Sequence, residues 1–304
     1  MRELSEVSKQ VDMQSNIFKT ALYFEGGSMR GAYSAGVNRC LVEQGVFFDN
    51  VYGISAGSSN AVNYLTRDVD RIVGSFGRLM ADEKAGSWKT FLRGRGLFDA
   101  EYLYHEADMP DGVLPFGYET FAKNPAKLNI FAFDRDRACD VRFTNDQMTC
   151  TEDVMQAVRA SSTLPFVMPA THIGNATYFD GGFGVGGGLP MQTILNDGFD
   201  RMVVIRTRPR GYRKGKPDGY MKFLFFRHPQ MRQAVLTRNT RYNQACDLLD
   251  ELERDGRAYV FYPEHLTLEG TERDAQLLES NIHAGHAQML KELPAILRYV
   301  EAGE

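Results

Sequence analysis

The sequence predicts an α/β layered fold, and two stretches carry that expectation. FKTALYF (18–24) is a short apolar and aromatic run; the glycine-rich EGGSMRG (25–31) follows, and then GAYSAGVNRCLVEQ (31–44), a helical pattern stopped by Gly45. DNVYGIS (49–55) and AGSSNAVNYLTRD (56–68) repeat the order of strand, tight glycine turn and helix. Strands alternating with helices over short loops bury a mostly parallel sheet, and such folds place ligands beyond the carboxyl ends of the strands.

The remaining elements follow in order. LNIFAFD (128–134) and CDVRFT (139–144), joined by polar RDRA, read as an antiparallel pair. TEDVMQAVRA (151–160) reads as a helix with Thr151 as N-cap and Asp153 in its first turn. ATHIGNATYFD (170–180) has the form of a hairpin around Gly174-Asn175, and DRMVVIRT (200–207) that of a buried strand. From about residue 216 the chain reads as mostly helical, with a strand at RAYVFY (257–262) and a long amphipathic stretch at 271–302. The expected organisation is an N-terminal arm (1–17), an α/β domain (18–210), and a basic segment with a helical C-terminal extension packed on that domain (211–304).

Composition narrows the function classes. A net charge of −4 over 304 residues argues against nucleic-acid binding through global charge. Cys40, Cys139, Cys150 and Cys246 are scattered without a C-x-x-C pair, which fits free thiols in a reducing compartment and no zinc site. The first twenty residues contain no apolar signal core, and no uninterrupted apolar run reaches about 18 residues. The expectation is a cytoplasmic protein without metal or cofactor, touching a membrane at most from that side.

Gly53-Ile54-Ser55-Ala56-Gly57 is a G-x-S-x-G pentapeptide between a predicted strand and a predicted helix. In that setting the flanking Gly53 and Gly57 leave room for a sharp turn that lifts the Ser55 hydroxyl out of the sheet. A serine needs a base to take its proton. The six histidines, His105, His172, His228, His265, His283 and His286, include none in a turn typical of a catalytic loop. His283 and His286 share helical spacing, but no third metal ligand accompanies them. YFDGG (178–182) ends a strand on Asp180 and continues with Gly181 and Gly182. Taken alone, that aspartate reads first as one that ends a strand in an Asx-type turn.

Read together, EGGSMRG, GISAG, ASSTLPF (160–166) and YFDGG resemble the patatin-like phospholipase family, whose motifs run in the order G-G-G-x-R-G, G-x-S-x-G, D-G-G/A. The resemblance spans about residues 20–207, and the helical tail is similar to an extension carried by a bacterial branch of the family. It implies a three-layer α/β/α sandwich and a lipid or other ester as substrate. It also implies a Ser–Asp dyad, with Ser55 as nucleophile and Asp180 as base and later acid. The loop Gly26, Gly27, Ser28, Met29, Arg30 and Gly31 would form the oxyanion hole, with Arg30 fixing it or meeting a substrate phosphate.

The loop could otherwise cradle a nucleotide. A Walker A loop needs Lys-Ser/Thr after its last glycine, where this chain has Ala32-Tyr33, and a dinucleotide fingerprint wants glycine where Ser28 stands. The chain also departs from the family at two places. Ser28 replaces the third glycine, which at φ > 0 would cost about 1–2 kcal/mol, and GGFGVGGGLP (181–190) is longer than usual before its proline. Two readings stay open beside the dyad: a Ser–His–Asp esterase of the ordinary α/β-hydrolase type, and a catalytically idle lipid-binding module. Finally, residues 206–233 combine many Lys and Arg with the cluster MKFLFF, as a peripheral membrane contact would, or equally as a solvated basic loop before a core helix.

Overall fold

Residues 13–165, 167–216 and 225–303 are described by the computed structural model of the chain. Its strands are β1 (Thr20–Phe24), β2 (Asn50–Ile54), β3 (Lys127–Asp134), β4 (Cys139–Thr144), β5 (Thr171–Ile173), β6 (Ala176–Asp180), β7 (Arg201–Ile205) and β8 (Ala258–Phe261). They form one sheet in the order β5-β6-β3-β2-β1-β7-β8, with β4 beside β3. β1 pairs in parallel with β2 and β7, β2 with β3, and β7 with β8; the pairs β3–β4, β3–β6 and β5–β6 are antiparallel.

The helices are α1 (Gly31–Glu43), α2 (Ala56–Thr66), α3 (Val69–Phe76), α4 (Arg78–Ala81), α5 (Trp88–Leu92), α6 (Tyr118–Lys123), α7 (Thr151–Ser162), α8 (Met191–Asn196), α9 (Pro229–Arg254) and α10 (Ala275–Glu301). The central strands are apolar without interruption because both faces are covered. Leu22, Phe24, Val203 and Ile205 face a core shared with Val37 and Leu41 of α1, Val154 and Val158 of α7, and Met289 and Ile296 of α10. The alternate residues Ala21, Tyr23, Met202 and Val204 face Ile194 of α8 and Tyr242, Cys246 and Leu249 of α9. The result is a three-layer sandwich around a mostly parallel sheet. The C-terminal extension clasps it, laying α9 on one face and α10 on the other and adding β8 to the sheet itself.

One register positions everything that follows. β4 runs along β3 from Asn129 to Asp134, so β2 and β6 share the opposite edge. β2 arrives parallel and ends with Ile54 opposite Phe131; β6 arrives antiparallel and ends with Asp180 opposite Ala132. Two strands running toward each other therefore stop on adjacent residues of β3.

Most predicted elements lie within one or two residues of their expected bounds, including the hairpin, whose Gly174 has φ +58. The N-cap of α7 differs. Cys150, in extended geometry, precedes the helix and Thr151 is already inside it. Asp153 draws the preceding turn in, accepting hydrogen bonds at Oδ2 from the backbone N–H (2.8 Å) and the hydroxyl (2.7 Å) of Thr149. In the basic stretch, residues 217–224, which hold most of the MKFLFF cluster, lie outside the described residues.

Candidate active site

Ser55 sits between β2 and α2 with φ 57 and ψ −130, a conformation that side-chain-bearing residues seldom adopt. The sequence forces this turn. Gly57 lies against the Phe24 carbonyl, where a Cβ would collide, so α2 can begin one residue after Ser55 and close under β1. The Ser55 amide donates to Ser161 Oγ (2.9 Å), whose hydroxyl donates to the Phe131 carbonyl (2.7 Å). Two residues on, the Thr163 carbonyl accepts the Asp180 amide (2.8 Å). The end of α7 thus ties both strand ends to β3.

Asp180 is buried. Its Oδ1 accepts from the Gly182 amide (2.7 Å) and lies 3.8 Å from a guanidinium nitrogen of Arg238 on α9. Gly181 and Gly182 form a short 3₁₀ turn after it, and the glycines that follow pass under α9, where Arg241 donates to the Phe183 and Gly184 carbonyls. The long 181–190 loop is therefore strapped down. Ser55 and Asp180 line the same cavity.

The glycine-rich loop approaches Ser55 closely. A Cβ on Gly26 would fall 2.8 Å from Ser55 Cβ and 2.7 Å from the Ile54 carbonyl oxygen, so only glycine fits there. Ser28 has φ 50, the left-handed geometry in which a side chain is strained. Within the loop the amides divide. Met29 N–H donates to the Gly270 carbonyl, Arg30 N–H to Gly27, and Gly31 N–H to Ser28 and Met29. The N–H groups of Gly26, Gly27 and Ser28 have no hydrogen-bond acceptor among the described residues.

What holds the loop is a buried ion pair that sequence reading missed. Glu25, at the end of β1, accepts from Arg206 Nε (2.8 Å), the Thr207 amide (2.8 Å) and the Tyr242 hydroxyl (2.7 Å). Burial pushes the Glu25 carboxyl up, but Arg206 and these hydrogen bonds outweigh it and hold it below the usual carboxylate range. Thr207 Oγ1 also donates to the Gly26 carbonyl (2.6 Å). The only local signal was a charged residue closing an apolar strand; its partners lie far along the chain.

Two cavities meet at Ser55. One, of about 780 Å³ including its mouth, is walled mainly by apolar side chains such as Val62, Phe76, Leu103, Met155, Val158 and Met168. Arg71 and Asp108, paired at 2.6 Å and both buried, also line it. The other, about 700 Å³, is polar and includes Glu25, Arg30, Asp180, Arg208, Lys214 and Arg238. No histidine lines either. His286 instead pairs with Glu43 (2.7 Å), and His172 contacts Thr177 across the hairpin. No cluster of three or more metal-ligating side chains occurs among the described residues.

The basic stretch is largely engaged by protein. Arg210 pairs with Glu253, Arg213 with Asp247 and Asp250, and Phe225 packs edge-on against Phe179, while Phe226 is 73% exposed. No helix among the described residues is long and apolar enough to cross a membrane.

Comparison with known proteins bears on this arrangement. The profile of a domain of unknown function, DUF6363, matches residues 228–301, the segment that holds α9, β8 and α10. The uncharacterized protein YjjU of Escherichia coli K12 is 26% identical over 193 residues, 63% of this chain; the chain spans about half (52%) of that relative's length. Among solved structures, VipD from Legionella pneumophila superposes with a TM-score of 0.47 at 11% identity, covering 94% of this chain and 67% of VipD. The profile of patatin-like phospholipases matches residues 22–190, from β1 through the loop after Asp180, and the chain belongs to that family.

Proposed function

We propose that the protein is a lipid acyl hydrolase that cleaves carboxylic esters through an acyl-enzyme on Ser55. The observation that carries this reading is the meeting of β2 and β6 on β3, which brings Ser55 and Asp180 into one cavity beneath the free amides of Gly26, Gly27 and Ser28. Ser55 Oγ attacks the ester carbonyl and its proton passes to Asp180. The oxygen that becomes negative is received by the loop amides, each worth about 3 kcal/mol to the transition state. Collapse expels the alcohol, which takes the proton from Asp180. Water then attacks the acyl-enzyme with Asp180 as base, releasing the fatty acid and restoring Ser55. The apolar cavity suits the acyl chain.

The absence of histidine from both cavities favours this dyad over a Ser–His–Asp arrangement. Peripheral contact with a cytoplasmic membrane surface, through the exposed Phe226 and the rest of 206–233, is part of the same proposal. In p-nitrophenyl butyrate hydrolysis, Ser55→Ala and Asp180→Asn are each expected to lower kcat by at least about 10³-fold. Single substitutions of the histidines should retain turnover. A fluorophosphonate should label the wild type and not Ser55→Ala. Activity surviving in Ser55→Ala, or lost with one histidine, overturns the dyad; a wild type that neither turns over esters nor takes the label is the idle binding module.

A further inference from the structure

The polar cavity carries an unusual charge arrangement. Four cations line it, Arg30, Arg208, Lys214 and Arg238, against the carboxylates of Glu25 and Asp180. Glu25 is already neutralised by Arg206. Arg30, Arg208 and Lys214 form no ion pair with any described carboxylate, and the carboxylate partner of Arg238 is Asp180 at 3.8 Å. On the same loop, by contrast, Arg210 is matched by Glu253 and Arg213 by Asp247 and Asp250.

The cations are also confined. Arg30 Nε and Arg238 Nε are buried without a hydrogen-bond partner in the described structure. Lys214 places its ammonium 3.8 Å from the centre of the Tyr242 ring and donates to the Gly187 carbonyl (3.4 Å). Burial, then the neighbouring Arg238, pushes its amine down to about 7. Its backbone is fixed by paired hydrogen bonds to the Asn243 amide, 2.8 and 2.9 Å. Arg208 stacks on Tyr212, and Asn239 donates to the Gly215 carbonyl (2.8 Å). Gathering like charges in a partly dry cavity is unfavourable until an anion joins them.

We propose that this cavity binds a phosphate group, the head of the acyl ester, and that Arg208, Lys214 and Arg238, all beyond the residues matched by the family profile, recognise it. Guanidinium forks match phosphate oxygens in pairs, and an ammonium adds a compact point charge. Several cations favour a dianionic phosphomonoester over a zwitterionic head, whose own cation would be repelled. Because Ser55 lies where the two cavities meet, one molecule can reach both, its chain in the apolar side and its phosphate in the polar side. Of the three, Arg238 lies in the segment matched by the domain of unknown function, which gives that segment a part in head-group selection. The ester half rests on the hydrolase reading; the anion half does not.

The test compares kcat/KM of the full chain for oleoyl-lysophosphatidic acid, oleoyl-lysophosphatidylcholine and monoolein. The phosphomonoester should be preferred by about tenfold or more, and R208Q/K214Q should bring the ratios to within about twofold. Should that variant fail to fold, R208K, which keeps the charge and loses the fork, should still reduce the preference severalfold. Calorimetric titration with glycerophosphate and with inorganic phosphate runs in parallel, with binding expected for both and a loss of about tenfold in R208Q/K214Q. Equal turnover of the three lipids overturns the lipid-head assignment while leaving the hydrolase intact. If inorganic phosphate binds in that case, the site is one for free phosphate. No turnover of any ester, with glycerophosphate binding that the variant loses, rejects the hydrolase and keeps the anion site. Absence of both preference and binding rejects the phosphate site outright.

Discussion

The two cavities that meet at Ser55 are built from different parts of the chain by different physics. The apolar one is made wholly from residues before 169, and its walls are the same methionine, valine, leucine and phenylalanine side chains that fold the domain. The polar one draws half its charge from residues after 206, on a loop and on α9. Non-directional burial makes the first, and electrostatic placement over a long sequence separation makes the second. Under the proposed reading, selectivity for chain length and for head group can therefore be altered almost independently, as one cavity changes or the other does.

The largest expected effect strikes the frame that both cavities share. Glu25→Gln leaves Arg206 buried without its counter-charge, which should destabilise the protein by about 3–5 kcal/mol in a denaturant titration. Loss of the clamp should also loosen the loop that flanks both sides. A change below about 1 kcal/mol would mean that the Glu25–Arg206–Tyr242 network does not hold the sheet and loop together.

A change confined to the apolar side should come next. Val158 is buried in the cavity wall, so Val158→Phe should lower kcat/KM for long acyl esters by about tenfold relative to butyrate. Its effect on the head-group ratio should be small, and an equal loss on both axes would dissolve the distinction between the cavities.

The polar side should respond to pH where the apolar side does not. Lys214 faces Arg208, Arg238, Glu25, Asp180 and Tyr242, and it titrates near 7, so its charge is lost as pH rises through that value. The preference for a phosphomonoester should fall by about threefold between pH 6.5 and 8.5, where the head itself is already mostly dianionic. In the same protein, stability contributed by this group rises between about pH 7 and 10, because there the unfolded chain holds the proton that folded Lys214 has shed. Lys214→Met should flatten both profiles, and a pH-independent preference would remove Lys214 from head-group selection.

The smallest effect belongs to Ser28. Its left-handed backbone should make Ser28→Gly more stable by about 1 kcal/mol, after allowing for the greater freedom of glycine when unfolded. Both cavities should keep their selectivity. A destabilised Ser28→Gly would show that the serine side chain makes up for its strained backbone.

What could be read from the sequence and what could not divide along the same line as the cavities. GISAG and YFDGG announce themselves because turn, strand and helix signals are local, and the hairpin at Gly174-Asn175 placed Asp180 at the end of a strand. Glu25, Arg206 and Tyr242 carry no such signal: an ion pair between residues so far apart exists only once β1, β7 and α9 are packed. The basic stretch shows the limit from the other side. Its composition reads as one run of positive charge, yet Arg206 is buried, Arg210 and Arg213 are paired, and Arg208 and Lys214 line the polar cavity beside Ser55. Charge can be counted along a sequence, but the direction in which each side chain points is settled by the sheet register and helix packing.

β3 acts as a ruler for the pair it supports. The spacing of Ser55 and Asp180 is set in units of one backbone residue, between Phe131 and Ala132, and not by the shapes of the side chains around them. Walls on either side can be recast without changing that interval. A single residue inserted into β3 at that junction would shift one strand end past the other and turn every following side chain to the opposite face. The pair should accordingly tolerate wide variation in its surroundings and almost none in the length of the strand beneath it.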